Sequence, residues 1–209
     1  MHGLGPGQSG PFEKVDEAYV RGITPTCPTP SPSPPSTLPP DEIERIATYL
    51  ITEKNLNTYV KCNPTLLGYE FARKTLDGLG YDYIQFDDHH FREDLQWEDA
   101  VPMFHRLMQR TGERGLEFGV KITNTFPVDV AAGELPSEEM YMAGKSLFPL
   151  TTTMAAMMAK EFWREAAPLL CRRCRRFNID KLFACGIWPI TMATTELKPG
   201  GYQRFTQIG

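Results

Sequence analysis

The chain has no apolar run close to the roughly 18 to 20 residues that a membrane-spanning helix needs. Its opening, MHGLGPGQSG, has neither the basic start nor the apolar centre of a secretory leader. The expected location is therefore the cytoplasm, with no membrane partner. A basic excess is also missing: 22 Lys and Arg stand against 26 Asp and Glu, a formal net charge of -4. A surface built to follow phosphates carries the opposite sign, so nucleic acid is not an expected partner. Cysteine is scarce. Cys27, Cys62, Cys171, Cys174 and Cys185 are odd in number and irregular in spacing, unlike a secreted disulfide framework. CRRC at 171–174 has the spacing of a thiol redox pair or half a zinc site. No second Cys or His pair lies at a suitable distance, and LLCRRCRR reads as a cationic patch with neither strand nor helix pattern, so no metal is expected. No GxGxxG follows a strand-like run and Cys-rich cluster motifs are absent, so no dinucleotide or iron–sulfur module is expected within these residues.

What is present is ordinary for a globular protein: 41% hydrophobic and 23% charged residues in a 209-residue chain, enough for one substantial core. Residues 1–38 are rich in Gly, Pro, Ser and Thr, and bury too little apolar surface to offset their ordering entropy. They are expected to be disordered, and 39–209 to hold the fold. PPDEIERIATYLITEKN opens that fold with prolines, first-turn acids and an apolar stripe of Ile43, Ile46, Ala47 and Leu50, which predicts a helix. Thereafter strand-like runs (57–63, 81–86, 116–123 and 187–194) alternate with helical ones. The helical runs are LLGYEFARKTLDGLG, LQWEDAVPMFHRLMQRTGERG, MYMAGKSLFPLTTTMAAMMAKEF and FNIDKLFACG. This rhythm predicts a mainly parallel α/β sheet, either doubly wound or a (β/α) barrel.

Two strands carry the first chemical signal. VKCN and GVKITNT each set a lysine in an apolar strand with an asparagine at its carboxyl end: Lys61 with Asn63, and Lys121 with Asn124 and Thr125. Parallel α/β proteins bind ligands beyond the carboxyl ends of their strands, where a buried lysine needs an anion or an electron-rich atom to face. The alternative is an edge strand with solvated lysines. In DDHH at 87–90 adjacent side chains diverge, so a solvated turn is expected there rather than a metal site, and His105 reads as a helix-surface residue. TMATTELKPGGY ends the final strand in small residues, which lets backbone N–H groups approach a phosphate at Ala193, Thr194 and Thr195. The methionines of MAAMMAK read as core packing.

Taken together, NLNTYVKCNPTLLGY, FGVKITNT, LPSEEMYMAGKSLFPLT and ITMATTELKPGGY resemble the flavin-barrel domain of the family named for a selenate reductase subunit. Its members are large cytoplasmic iron–sulfur flavoproteins similar to dihydropyrimidine dehydrogenase and glutamate synthase small subunits. The resemblance spans roughly 39–162 and 177–209. It implies part of an FMN-binding (β/α)8 TIM barrel of the dihydroorotate dehydrogenase type, specifically its C-terminal portion. It also implies flavin contacts for Lys61, Asn124 and Thr125, and a phosphate loop at Ala193 to Thr195; Asn63 and Lys121, from their places in the same two strands, complete the expected cofactor-binding set. FAD, NAD(P)H and iron–sulfur clusters would belong to other modules of the parent protein, and the partners would be flavin and a small-molecule substrate.

Two stretches depart from that family. The Pro/Ser run before PPDEIE stands where the family has a strand, Val-Thr-Leu-Ser-Thr, and a reactive cysteine loop. WREAAPLLCRRCRR stands where it has a glycine-rich phosphate loop. Because proline codons are CCN and many serine codons TCN, a shifted frame over 27–36 can encode the missing strand, and one over 163–176 the missing loop. Two compensated frameshifts are the expected origin of both. The expected function is a fragment of an FMN-dependent oxidoreductase. The alternatives are a remnant that binds nothing and an aldolase-type barrel using Lys61 or Lys121 as a Schiff base.

Overall fold

The computed structural model describes residues 38–162, 169–171, 179–187 and 199–207. The segment 1–37, most of 163–176, and Ala193, Thr194 and Thr195 lie outside the described residues. The first helix, α1 (Pro40–Thr52), has Pro40 at its first position and Asp41 and Glu42 in its first turn, where carboxylates complement the helix dipole. It buries Ile43, Ala47 and Ile51. The stripe is thus turned by one position from the predicted one, with Ile51 in the place expected for Leu50.

Strand β1 (Thr58–Lys61) follows, then a 3-10 turn (Pro64–Leu67), α2 (Tyr69–Gly78), the short α3 (His89–Glu93) and α4 (Trp97–Gly112). Pro102 lies inside α4 without ending it. Its missing N–H would have met the carbonyl of Glu98, and both residues are exposed, so water can take that carbonyl. The buried face of α4 is Ala100, Met103, Phe104, Leu107 and Thr111. Strand β2 (Phe118–Ile122) pairs parallel with β1, placing Lys61 opposite Lys121. Strand β5 (Leu169–Cys171) pairs parallel with the far side of β2, giving the order β1-β2-β5. Between them come β3 (Phe126–Asp129), β4 (Glu139–Met142), a second 3-10 turn (Lys145–Leu147) and α5 (Phe148–Phe162). The last described elements are α6 (Ile179–Ala184) and a 3-10 segment (Gly201–Gln207).

The structure corrects three expectations. YDYIQF is not a strand: the carbonyls of Tyr81 and Ile84 accept hydrogen bonds from the Arg73 guanidinium (3.1 and 2.7 Å), and Tyr83 is 69% exposed. A side chain of α2 has taken the acceptors that a neighbouring strand would use. MYMAGKSLFPLT does not begin a helix at Met140. Met140–Met142 belongs to β4, which pairs antiparallel with β3, and α5 starts at Phe148. LLC of LLCRRCRR is a strand, because its backbone completes the open edge of β2. Of the final strand predicted at 187–194, only Ile187 is described, and it is not in a strand.

Two apolar clusters hold these elements. In the first, α1, α4, α5 and Leu182 of α6 pack on Val60, Cys62, Phe118, Val120 and Ile122. In the second, Ala72, Leu76, Phe86 and Phe91 pack on Phe126, Val128 and Met142 of the hairpin and on Leu147 and Leu150. Phe86 and Phe126 meet edge-on at 4.8 Å between ring centroids, a favoured aromatic geometry. Leu67 packs against both clusters. No helix among the described residues is long and apolar enough to cross a membrane.

Candidate functional site

Successive side chains of a strand point to opposite faces. Since Val60, Cys62, Phe118, Val120 and Ile122 meet the helices, Tyr59, Lys61, Gly119 and Lys121 stand on the other face of the sheet. Register partners in adjacent strands lie about 4.8 Å apart, so two half-buried lysines stand side by side at the carboxyl ends of two parallel strands. Lys121 is on the central described strand, which removes the edge-strand reading for it.

The chain ends β1 and β2 in polar residues. Cys62 N–H donates to Lys121 O and Asn124 N–H to Cys62 O, both at 2.9 Å, so the two strands stay paired until Asn63 and Asn124 turn out. Lys61, Asn63 and Asn124 line one open cleft, together with Asp94, Thr65 and Leu95. The cleft is small, with room for about one water molecule. Thr125 is half-buried and donates its hydroxyl to Asn124 Oδ1 at 3.4 Å; it supports Asn124 rather than lining the cleft.

Asp94 is the residue that sequence reasoning missed. It follows α3 directly, its N–H donating to His90 O at 3.0 Å, and it is 5% exposed. Its Oδ2 accepts from Asn63 Nδ2 at 2.8 Å and from Thr65 Oγ1 at 2.7 Å, across some thirty residues of sequence. Its Oδ1 is buried with no hydrogen-bond partner. Burial pushes the Asp94 carboxyl above the usual range, against the opposing pull of the Asn63 and Thr65 hydrogen bonds. Nothing in REDLQW marks this aspartate apart from its neighbours; the signal lies in the tertiary approach of α3 to the end of β1. Cys62 also lines the cleft, and burial pushes its thiol up to about 12.

The DDHH residues do not converge. Asp87 Oδ1 accepts from the His89 backbone N–H at 2.9 Å, His89 faces Glu93 at 3.3 Å, and His90 Nε2 meets Glu139 of the hairpin at 2.7 Å. The stretch opens α3 rather than forming a simple turn. Among the described residues no group of three His, Cys, Asp or Glu could hold a metal ion.

Residues 9–209 match the family described as "Oxidoreductase YgfK, N-terminal TIM-barrel domain". The chain belongs to this family. The protein named "Putative oxidoreductase YgfK" in Escherichia coli (strain K12) is 46% identical over 168 residues, covering 80% of this chain and 16% of that protein. Its namesake in Escherichia coli O157:H7 gives the same figures. The chain therefore spans about a sixth of the length of these relatives. No solved structure matches it. As part of a YgfK TIM barrel, the β1-β2-β5 wall has its helices outside and its lysine-bearing face inward. The Asn63–Asn124 end is then the carboxyl-terminal rim, the end at which barrels of this class place their sites.

Proposed function

We propose that the chain supplies flavin-binding wall and rim to an FMN-dependent oxidoreductase. Within the intact protein, the barrel would exchange electrons with iron–sulfur and NAD(P)H-reactive modules, as in the dihydropyrimidine dehydrogenase type and the selenate reductase subunit family it resembles. The supporting observation is the in-register pair Lys61 and Lys121 on the inward face, one residue pair below the rim. Two positive side chains rooted on neighbouring strands of that face favour an anionic or electron-rich partner. The pyrimidine edge of a flavin, which gains negative charge on reduction, is such a partner. Asn63 and Asn124 add amide donors and acceptors around it. FMN, when bound, supplies the hydride or single-electron chemistry. The protein's own groups hold the ring, fix its electronic environment and shield one face. The phosphate contacts would fall to Ala193, Thr194 and Thr195.

Half-buried lysines in strands also favour a second reading, the aldolase-type barrel in which Lys61 or Lys121 forms a Schiff base. Purification separates the two readings. A yellow protein whose flavin is released on denaturation supports the first, with Lys61→Met and Lys121→Met each weakening FMN binding by about tenfold, equivalent to about 1.4 kcal/mol. A colourless protein that binds no added FMN overturns it. Borohydride trapping of a carbonyl compound on Lys61 or Lys121 would establish the aldolase reading instead.

A further inference from the structure

The surroundings of Asn63 leave one of its polar atoms to a ligand. The residue stands just ahead of the 3-10 turn Pro64–Leu67 with extended backbone, φ -89° and ψ 152°. An asparagine in that place ordinarily turns its side-chain oxygen onto an N–H of the first turn, yet Asn63 makes no capping bond. Its amide is drawn the other way, Nδ2 donating to Asp94 Oδ2 at 2.8 Å. Thr65 Oγ1 donates to the same oxygen at 2.7 Å, which fixes that oxygen from a second side. Turned over, the amide would set Oδ1 against an acceptor oxygen and lose its bond. Oδ1 is therefore the atom left over. Among the described residues it makes no hydrogen bond, and the only buried side-chain polar atoms without a partner are His90 Nδ1 and Asp94 Oδ1. Asn63 Oδ1 thus has open surface, on a half-buried residue that lines the cleft with Lys61.

We propose that Asn63 is a specificity-determining residue of this cleft, its amide locked by Asp94 and Thr65 so that Oδ1, an acceptor, meets the ligand. The atom this selects is an N–H. With a lysine lining the same cleft, the ligand that fits carries its N–H next to an electron-rich carbonyl, as a cyclic imide or ureide does. A ligand with a ring lone pair or a further carbonyl at that place would set acceptor against acceptor and bind more weakly. The cleft has room for about one water molecule, so it takes the edge of such a ring rather than the whole ring. Asp94 and Thr65 are positioning residues that act through Asn63. The pyrimidine edge of a flavin has the required pattern, an N–H between two carbonyls; in naming flavin the proposal rests on the reading above, while the orientation of Asn63 does not.

The test compares the affinity of the 209-residue chain for FMN with its affinity for FMN methylated at the imide nitrogen, which keeps both carbonyls and loses the N–H. Wild type should prefer FMN by about tenfold, the worth of one good hydrogen bond. Asn63→Leu keeps the bulk of the side chain and removes the acceptor, so it should bind both flavins to within about twofold. A preference that survives in Asn63→Leu, or a wild type that binds both flavins alike, overturns the proposal. The orientation is read without ligand, from the Asn63 side-chain amide protons: one should be protected from exchange in wild type and lose that protection in Asp94→Ala. Thr65→Val loosens the same anchor, should give intermediate protection, and serves if Asp94→Ala does not fold. An Asn63 amide that exchanges as fast in wild type as in these variants also overturns the proposal. If neither flavin binds, the flavin reading falls, and succinimide against N-methylsuccinimide puts the same question to Asn63. A shift of the Asn63 ¹³Cγ signal with succinimide alone upholds the acceptor role; a shift with both, or with neither, overturns it.

Discussion

Single residues in this fold differ most by what burial does to their chemistry. Cys62 lies one residue beyond β1, 1% exposed, its thiol 3.8 Å from the Val60 carbonyl and pushed up to about 12, whereas Cys185 just after α6 is exposed. The thiolate is the reactive species, so a maleimide at neutral pH should modify Cys185 within minutes and leave Cys62 untouched until the chain is denatured. Peptide mass mapping reads the difference, and early labelling of Cys62 would contradict its placement in the first cluster. The residue scale is also where the sequence is least informative. Lys61, Asn63, Lys121 and Asn124 were legible because a lysine inside an apolar strand, followed by an amide, breaks a local pattern. Asp94 breaks none: it sits among charged residues in FRED, and only the packing of α3 against Pro64–Leu67 makes it a buried carboxyl.

Elements repeat the lesson with more of it readable. Helices α1 and α4 were visible from their periodicity, and what locks them together is a clamp on the outside of the first cluster. Glu44 accepts from Arg106 Nε at 2.9 Å and from Nη2 at 2.6 Å, with Arg110 at 3.7 Å. The Arg106 hydrogen bond, with the Arg106 and Arg110 charges behind it, holds the Glu44 carboxyl below the usual range despite partial burial. A carboxyl whose folded pKa is depressed stabilises the fold fully above its unfolded value and loses that contribution as pH falls through the folded one. Glu44→Gln should therefore cost about 0.5–1 kcal/mol at neutral pH, after solvent screening of the half-exposed Arg106 is allowed for. The gap from wild type should close as pH drops below the glutamate range, as denaturant melts at several pH values would show; a constant gap would mean that the pair does not act through charge. The hairpin β3–β4 was hidden for a different reason. FPVD does alternate, with Phe126 and Val128 buried and Pro127 and Asp129 outward, but a proline in a four-residue run argues against a strand, and nine loop residues separate it from its partner. YDYIQF erred in the opposite direction: its aromatic, β-branched composition suits a strand, yet Arg73 claims its carbonyls and also lies 4.4 Å from the Phe86 ring centroid.

At the scale of the whole molecule, the alternation of strands and helices was enough to reach a mainly parallel α/β sheet, doubly wound or barrel; the resemblance singled out the barrel, and membership of the YgfK barrel family agrees with it. The in-register pairing of β1 and β2 could not be read from sequence, because register in a parallel pair is set by which residues the helices cover rather than by a turn. It is this register, more than the presence of two lysines, that turns two separate motifs into one inward-facing pair. Its consequence is measurable as a coupling: if both lysines address one ligand, Lys61→Met and Lys121→Met together should weaken FMN by an amount that departs from the sum of the single losses, as residues sharing a partner do.

The two apolar clusters meet at Leu67, at the end of the 3-10 turn that follows the cleft asparagine. Cooperative regions of a protein open to solvent with their own free energies, and a side chain touching two of them sets how independently they do so. Shortening Leu67 to alanine should let the hairpin's amides exchange with deuterium on a different schedule from those of β1 and β2. Leu67 and the turn that carries it thus join the hairpin's cluster to the rim of the candidate site, alongside α5, which places Leu150 in one cluster and Met154 and Met158 in the other.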